Sequence, residues 1–268
     1  MITSESNGKM KEIVKLQKSA RERRKRKCFL AEGVKMVREA FDCGKLQTIY
    51  FSEKFWESQG QAWQEITGQV AWEVVSETVF HKIADTVTPQ GVLGVAEMPE
   101  YHMEELLEDS RRAYILLDDI RDPGNLGTIL RTAEGAGMSG VIMSRETVDL
   151  FNPKVVRSTM GAIFRVPFCY EENLAECIGM LRSADIPVYG TMMDGDALYD
   201  EHDYTGSVGV VIGNEANGIS RDVAEALTGG IRIPMEGSVE SLNASVAGAV
   251  LMYEIARQRR GAVAFDRG

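Results

Sequence analysis

The sequence predicts an α/β protein: a mostly parallel sheet with helices on both faces, preceded by a small α/β domain. Three observations predict it. From Ala113 onward, short apolar strands alternate with helical stretches, the pattern of strands joined by crossover helices. A shorter run of the same alternation precedes it, and the stretch Met98–Asp109 between the two is acidic and contains Pro99. The chain has 268 residues, 44% apolar and 26% charged, which is enough to bury one large core or two modest ones. The expected division is a domain over 1–100, a linker over 101–110 and a second domain over 111–268.

The elements follow in order. Residues 8–43 read as helical, with Ile13, Leu16, Leu30, Val34, Val37 and Phe41 at helical spacing and Gly44 as a stop. Leu46–Ser52 reads as a strand, 53–66 as a helix and Ala71–Val75 as a strand. A helix near 76–84 and the strand Gly91–Glu97 complete the first domain. In the second, Tyr114–Leu117 is a strand of the buried type. Asn125–Ala136 is a helix with Asn125 as a natural N-cap. Then come the strand Gly140–Ser144, a helix over 154–160, the strand Phe164–Phe168, a helix over 173–184 and the strand Val188–Met192. The strand Ser207–Ile212, a helix capped by Ser220, the strand Ile231–Ile233 and a helix over 241–260 end the chain.

Charge is distributed unevenly. The net charge is −10, which by itself speaks against a nucleic-acid partner. Yet residues 1–27 hold ten Lys or Arg against three Glu, a local +7, and the rest of the chain carries −17. Arg23, Arg24, Lys25, Arg26 and Lys27 are therefore candidates to grip RNA phosphates. The plainer reading is a solvated helix. The cysteines Cys28, Cys43, Cys169 and Cys177 and the histidines His81, His102 and His202 show no ligand spacing. Reduced thiols and a site without metal are expected. No apolar run suits a membrane span, and the polar, basic start does not suit a signal peptide, so a cytoplasmic location is expected.

Three blocks carry chemistry: Asp119-Ile-Arg-Asp-Pro-Gly-Asn-Leu-Gly-Thr-Ile-Leu-Arg-Thr-Ala133, Val210-Val-Ile-Gly-Asn-Glu-Ala-Asn-Gly-Ile-Ser220, and Ile231-Arg-Ile-Pro-Met-Glu-Gly-Ser-Val-Glu-Ser-Leu-Asn-Ala-Ser-Val-Ala-Gly248. The last two read as a strand, a Gly- and Asn-rich loop and a helix start, which brings bare backbone amides close to a small ligand. In an open α/β sheet such ligands bind beyond the carboxyl ends of strands. No GxGxxG follows a first strand, and Gly135-Ala-Gly137 ends a helix rather than opening one, which disfavours a dinucleotide fold. On the first-block helix Asn125, Thr128, Arg131 and Thr132 are expected to share roughly one face. On the last helix Leu242, Val246, Val250 and Tyr253 form one apolar row, and Ala247, Leu251 and Ile255 a second.

Together the three blocks resemble the signature of the SpoU (TrmH-like) RNA ribose 2′-O-methyltransferases. The resemblance implies a C-terminal trefoil knot and S-adenosylmethionine as cofactor. It implies Asn125, Arg131, Glu215, Ser241 and Asn243 as catalytic-site residues. It places the cofactor against Thr191, Met192, Ile212, Gly213, Asn214, Gly218, Ile233, Met235, Ser241 and Leu242, and RNA against Arg121 and Arg131 as well as the basic arm. It also implies a homodimer through this domain. Arg26–Lys35 and Thr88–Gly94 resemble, more loosely, parts of the RNA-binding domain that many of these enzymes carry first. The implied reaction is methyl transfer to a ribose 2′-hydroxyl. The family's arginine is proposed there as the base, but a guanidinium stays charged near neutral pH. Arg131 is better suited to stabilise the developing alkoxide or clamp a phosphate, with Glu215 as a possible base or water-mediated acceptor. A two-domain build favours ribosomal RNA of the large subunit over tRNA. The alternative of another class, a non-catalytic RNA-binding protein, would be marked by loss of site residues, and none is lost.

Overall fold

A computed structural model describes residues 1–108 and 112–265, with side chains up to Gly261. Residues 1–99 contain α1 (Gly8–Lys18), α2 (Ala20–Arg26), β1 (Cys28–Glu32), α3 (Val34–Asp42), β2 (Leu46–Ser52), α4 (Glu53–Gln59), α5 (Gln64–Thr67), β3 (Ala71–Val75), α6 (Glu77–Ile83) and β4 (Val92–Glu97). The rest contains α7 (Met103–Leu107), β5 (Ala113–Leu117), α8 (Pro123–Ala136), β6 (Gly140–Ser144), α9 (Pro153–Thr159), β7 (Phe168–Glu171), α10 (Leu174–Ser183), β8 (Val188–Thr191), β9 (Ala197–Leu198), β10 (Val208–Ile212), α11 (Arg221–Ala226), β11 (Gly229–Arg232) and α12 (Ala244–Phe265). Two compact units result, one of residues 1–99 with 149–164, the other of 100–148 with 165–268.

In the first unit a four-stranded sheet has the order β1-β4-β2-β3, with β4 antiparallel to both neighbours. The helix expected over 8–43 is broken. Ser19 is extended and caps α2 through the Glu22 amide, and Lys27 ends α2 in a left-handed conformation. Cys28–Glu32 then forms a buried strand. Four apolar residues in succession, 28–31, fit either period, and pairing with β4 decides it. The helix expected over 53–66 is likewise divided by a 3₁₀ turn at Gly60–Trp63. Met10, Ile13 and Leu16 of α1 pack with Val79, Phe80 and Ile83 of α6 in one core cluster.

Residues 149–164, expected in the C-terminal domain, pack with this unit. Phe29 of β1 meets Phe151 and Phe164 at ring separations of 5.0 and 5.7 Å. Arg157 pairs with Asp85 at 2.9 Å. Arg23 is 3% exposed. It donates to Asp149 through Nε at 3.0 Å and Nη2 at 2.5 Å, and to the Leu16 and Gln17 carbonyls. Arg23 therefore holds the fold and does not face RNA, contrary to expectation; composition cannot tell a buried arginine from a surface one. Removing one partner of a buried pair strands the other. Asp149→Ala is expected to cost about 3 kcal/mol of stability, read from urea unfolding.

In the second unit seven parallel strands have the order β7-β6-β5-β10-β8-β11-β9. The strand expected at 164–168 starts at Phe168 instead: Ala162–Phe164 is a 3₁₀ turn, and Pro167 has no N–H to donate. Of the expected linker, Met103–Leu107 is a helical turn with Leu106 buried, while residues 109 and 110 lie outside the described residues. Among the described residues no helix is long and apolar enough to cross a membrane.

Candidate active site

Helix α8 begins earlier than expected. Asp122 is its N-cap, accepting from the Asn125 N–H at 2.8 Å, and Pro123 takes the first position, where a missing N–H costs nothing. Asn125 therefore lies in the first turn, 8% exposed, with its amide free of capping duty. The last helix starts at Ala244, and Asn243 caps it. Its Oδ1 accepts from the Ser245 N–H at 2.9 Å, the Ser245 hydroxyl at 2.7 Å and the Val246 N–H at 3.4 Å.

These two caps bring distant residues together. Asn243 Nδ2 donates to Asn125 Oδ1 at 3.0 Å. Asn125 Nδ2 donates to Glu215 Oε1 at 2.9 Å. The same carboxylate accepts the backbone N–H groups of Arg121 and Asp122, both at 3.3 Å. The chain Asn243–Asn125–Glu215 thus has every amide end committed and its orientation fixed. It links the loop after β5, the loop after β10 and the start of α12. Since β5 and β10 are parallel neighbours, the cluster lies at their carboxyl ends, where ligands of such sheets bind.

Glu215 is exposed at its outer edge. Partial burial pushes its carboxyl up. The bonds from the Asn125 amide and from the Glu215, Arg121 and Asp122 backbones outweigh this and hold the group below the usual carboxylate range. A carboxylate so well supplied with donors is a weak proton acceptor. Its folded value is depressed, so its contribution to stability is complete above the unfolded value and is lost as pH falls through the folded one.

Loop 213–218 is closed by reciprocal Asn214–Gly218 backbone bonds, each 2.9 Å. Gly213 has no room for a side chain: a Cβ would come within 2.3 Å of the Gly218 backbone. Asn214 commits its amide oxygen to this loop, Oδ1 accepting from the Ala216 and Asn217 N–H groups. The Thr191 hydroxyl bonds the Val211 carbonyl at 3.0 Å. Ile212 is 2% exposed. Its side chain packs toward Gly248 of α12 and its carbonyl accepts from Asp118 N–H. Met192, Ile233, Met235 and Leu242 are half-buried. They belong to the loops after β8 and β11, which are joined by Met192 N–H to the Ile231 carbonyl at 2.9 Å. Half-buried apolar side chains among backbone loops at three adjacent strand ends, β10, β8 and β11, fit an adenosine moiety. Ser241 is exposed and makes no hydrogen bond among the described residues.

Arg131 stands apart from this cluster. It is six residues from Asn125, a turn of about 120° around α8, and it is exposed where Asn125 is buried. The two do not share a face. Among the described residues Arg131 makes no hydrogen bond or ion pair. It lies one turn before Gly135, which the Tyr253 hydroxyl of α12 covers so closely that a Cβ would sit 3.2 Å from it. On α12 the second apolar row is buried at Leu251 and Ile255, whereas Val246 and Tyr253 are 47% and 49% exposed. Among the described residues no group of three or more His, Cys, Asp or Glu is arranged to hold a metal ion.

A fixed carboxamide–carboxylate relay beside Gly-rich loops at the carboxyl ends of a parallel sheet marks the ligand-binding end of an α/β protein. The comparisons give its class. Residues 112–253 match the model of the SpoU rRNA Methylase family, and residues 7–94 that of the MRM3-like substrate binding domain. The 23S rRNA (guanosine(2553)-2′-O)-methyltransferase RlmP of Bacillus subtilis is 33% identical over 255 residues, 95% of this chain and 98% of that one. The SpoU methyltransferase AviRb of Streptomyces viridochromogenes, solved with AdoMet, superposes with a TM-score of 0.87 at 26% identity, over 95% of this chain and 98% of that one. An AdoMet-bound rRNA methyltransferase of Sinorhizobium meliloti does so at 0.81 and 34% identity, over 96% and 97%. The chain belongs to the SpoU rRNA methylase family, and it is an S-adenosylmethionine-dependent methyltransferase.

Proposed function

We propose that the protein methylates a ribose 2′-hydroxyl of large-subunit (23S) ribosomal RNA. The observation that carries this reading is the Asn243–Asn125–Glu215 relay, all three residues present and mutually bonded. S-adenosylmethionine supplies an electrophilic methyl group on a sulfonium. The loops 190–193, 211–218 and 231–243 hold it, and the knot implied by the family signature belongs to the same reading. Asn125, fixed by Glu215 and Asn243, orients the site, while the unpaired Arg131 guanidinium stabilises the developing alkoxide or an adjoining phosphate. The reaction takes place in the cytoplasm. The test is transfer of labelled methyl to 23S rRNA and to tRNA, with mapping of ribose-methylated positions in a deletion strain. Transfer to tRNA alone would move the target, and cofactor binding without any transfer would leave a non-catalytic RNA-binding protein.

The same reading includes a homodimer. The exposed α12 row through Val246 and Tyr253 needs a cover, and a second copy related by two-fold symmetry supplies one. A dimer is expected by light scattering at low-micromolar concentration; a stable 29.6 kDa species would reject it.

RNA affinity comes in this reading from the basic arm, with Arg23 excluded. Arg24 and Lys25 are exposed, and Arg26, also exposed, is shared with Glu12 and Glu22 at 3.1 and 3.5 Å. Neutralising Arg24, Lys25 and Arg26 is expected to flatten the salt dependence of RNA binding by up to about 0.7–0.9 per lost phosphate contact. An unchanged slope would leave the arm a solvated helix.

A further inference from the structure

The loop that carries Glu215 is tied down at both ends by two consecutive aspartates that follow β5. At its exit, the buried Asp118 accepts the Ser220 N–H at 2.7 Å. At its entry, Asn214 Nδ2 donates to the Asp119 carbonyl at 2.7 Å and to its Oδ2 at 3.3 Å. Asp119 adopts a left-handed backbone, φ +57°, which a residue other than glycine rarely takes and which Asp and Asn tolerate best. Its N–H donates to Ser144 Oγ at 3.0 Å, and its Oδ1 accepts Arg121 Nε at 2.8 Å. One residue therefore touches both sides of the Glu215 carboxylate's setting: Asn214 next to it in the chain, and Arg121, whose backbone N–H reaches it.

We propose that Asp119 is a positioning residue for methyl transfer. It clamps loop 213–220 against the loop after β5, so that Glu215 meets Arg121, Asp122 and Asn125 in a single arrangement. The clamp has a backbone part, the left-handed turn that aims the carbonyl at Asn214, and a carboxylate part, which holds the Asn214 amide and Arg121. Without the carboxylate part, the entry tether is weakened, the bonds inside loop 213–220 open more often, and Asn125 loses its oriented partner. The inference rests on the reading of Asn125 and Glu215 as catalytic machinery.

Three substitutions in the full chain separate the parts. Asp119→Asn keeps the tolerance for the left-handed backbone and one acceptor oxygen. Asp119→Gly keeps only the backbone. Asp119→Ala keeps neither. Hydrogen exchange reads the clamp without reference to activity, because the N–H groups of Asn214, Ala216, Asn217, Gly218 and Ser220 are all hydrogen-bonded donors. Asp119→Ala and Asp119→Gly are expected to exchange faster over 213–220 and to lose roughly 10- to 100-fold in kcat, with cofactor Kd within about twofold. Asp119→Asn is expected near wild type in both. Unchanged exchange in the alanine and glycine variants would overturn the proposal. So would a glycine variant with wild-type exchange and rate, which would leave the carboxylate without a role. If exchange rises as expected and the wild type transfers no methyl to any RNA, the clamp stands and the proposed function fails.

Discussion

Arg131→Ala is expected to lower methyl transfer by about 10²–10³-fold, the usual cost of removing one donor from a site of developing negative charge. Cofactor affinity measured by calorimetry is expected to be unchanged, because Arg131 is not among the loops after β8, β10 and β11. The fold should also be unaffected, since the guanidinium has no partner among the described residues. Its placement sharpens the expectation. Arg131 is on the side of α8 that Tyr253 borders, beside the exposed row of α12, and away from Asn125. In the proposed dimer it would serve the site of the other copy. Mixing Arg131→Ala with Asn125→Ala protomers should then restore part of the activity, because one site in each mixed dimer would have both residues intact. No recovery on mixing would confine Arg131 to its own subunit's site, and near-normal turnover of Arg131→Ala alone would deny it any catalytic role.

The second large effect is expected at Glu215. Glu215→Gln replaces an acceptor with a group that must turn an N–H₂ toward at least one of three donors. The relay through Asn125 to Asn243 would then lose its fixed orientation, and turnover is expected to fall about 10²-fold, as small displacements in a positioned site can cost. The pH dependence tells what kind of loss this is. Its bonds hold the Glu215 carboxyl below the usual carboxylate range, which makes it a weak acceptor for the ribose proton. The apparent pKa values of the remaining activity in Glu215→Gln should match those of the wild type. Disappearance of one limb of the profile in that variant would restore Glu215 as the base.

Much of the second unit was legible in the sequence because β5, β6 and β10 are short apolar runs bounded by turn residues, and parallel order follows from the crossover helices; the two-residue β9 was not expected. The first unit was harder. Leu30 falls at helical spacing with Val34 and Val37, and only its pairing partner Val95, remote in sequence, makes it a strand residue. The site was legible as a set of residue types but not as an arrangement. Asn125 looks like an N-cap, and only Asp122 three residues earlier takes that duty from it. Its bonds run to residues 90 and 118 positions away, which no local pattern encodes. Asp119 gives no sequence signal, since its importance lies in a backbone angle and in contacts with Asn214 and Arg121. Arg23 shows the reverse case: it sits in the densest basic run of the chain, yet its geometry is that of a core residue.

The return of residues 149–164 to the first unit has a consequence for synthesis. During translation the N-terminal hundred residues leave the ribosome with Arg23 lacking its carboxylate and Phe29 lacking two of its ring neighbours. At roughly 5–20 residues per second that condition lasts for several seconds, so the substrate-binding half cannot complete its core before part of the catalytic half has been made. A gene fragment ending at residue 99 would make the condition permanent. The two halves therefore cannot be exchanged between relatives as cassettes cut at the linker: a working graft must carry the stretch around α9 along with the N-terminal segment.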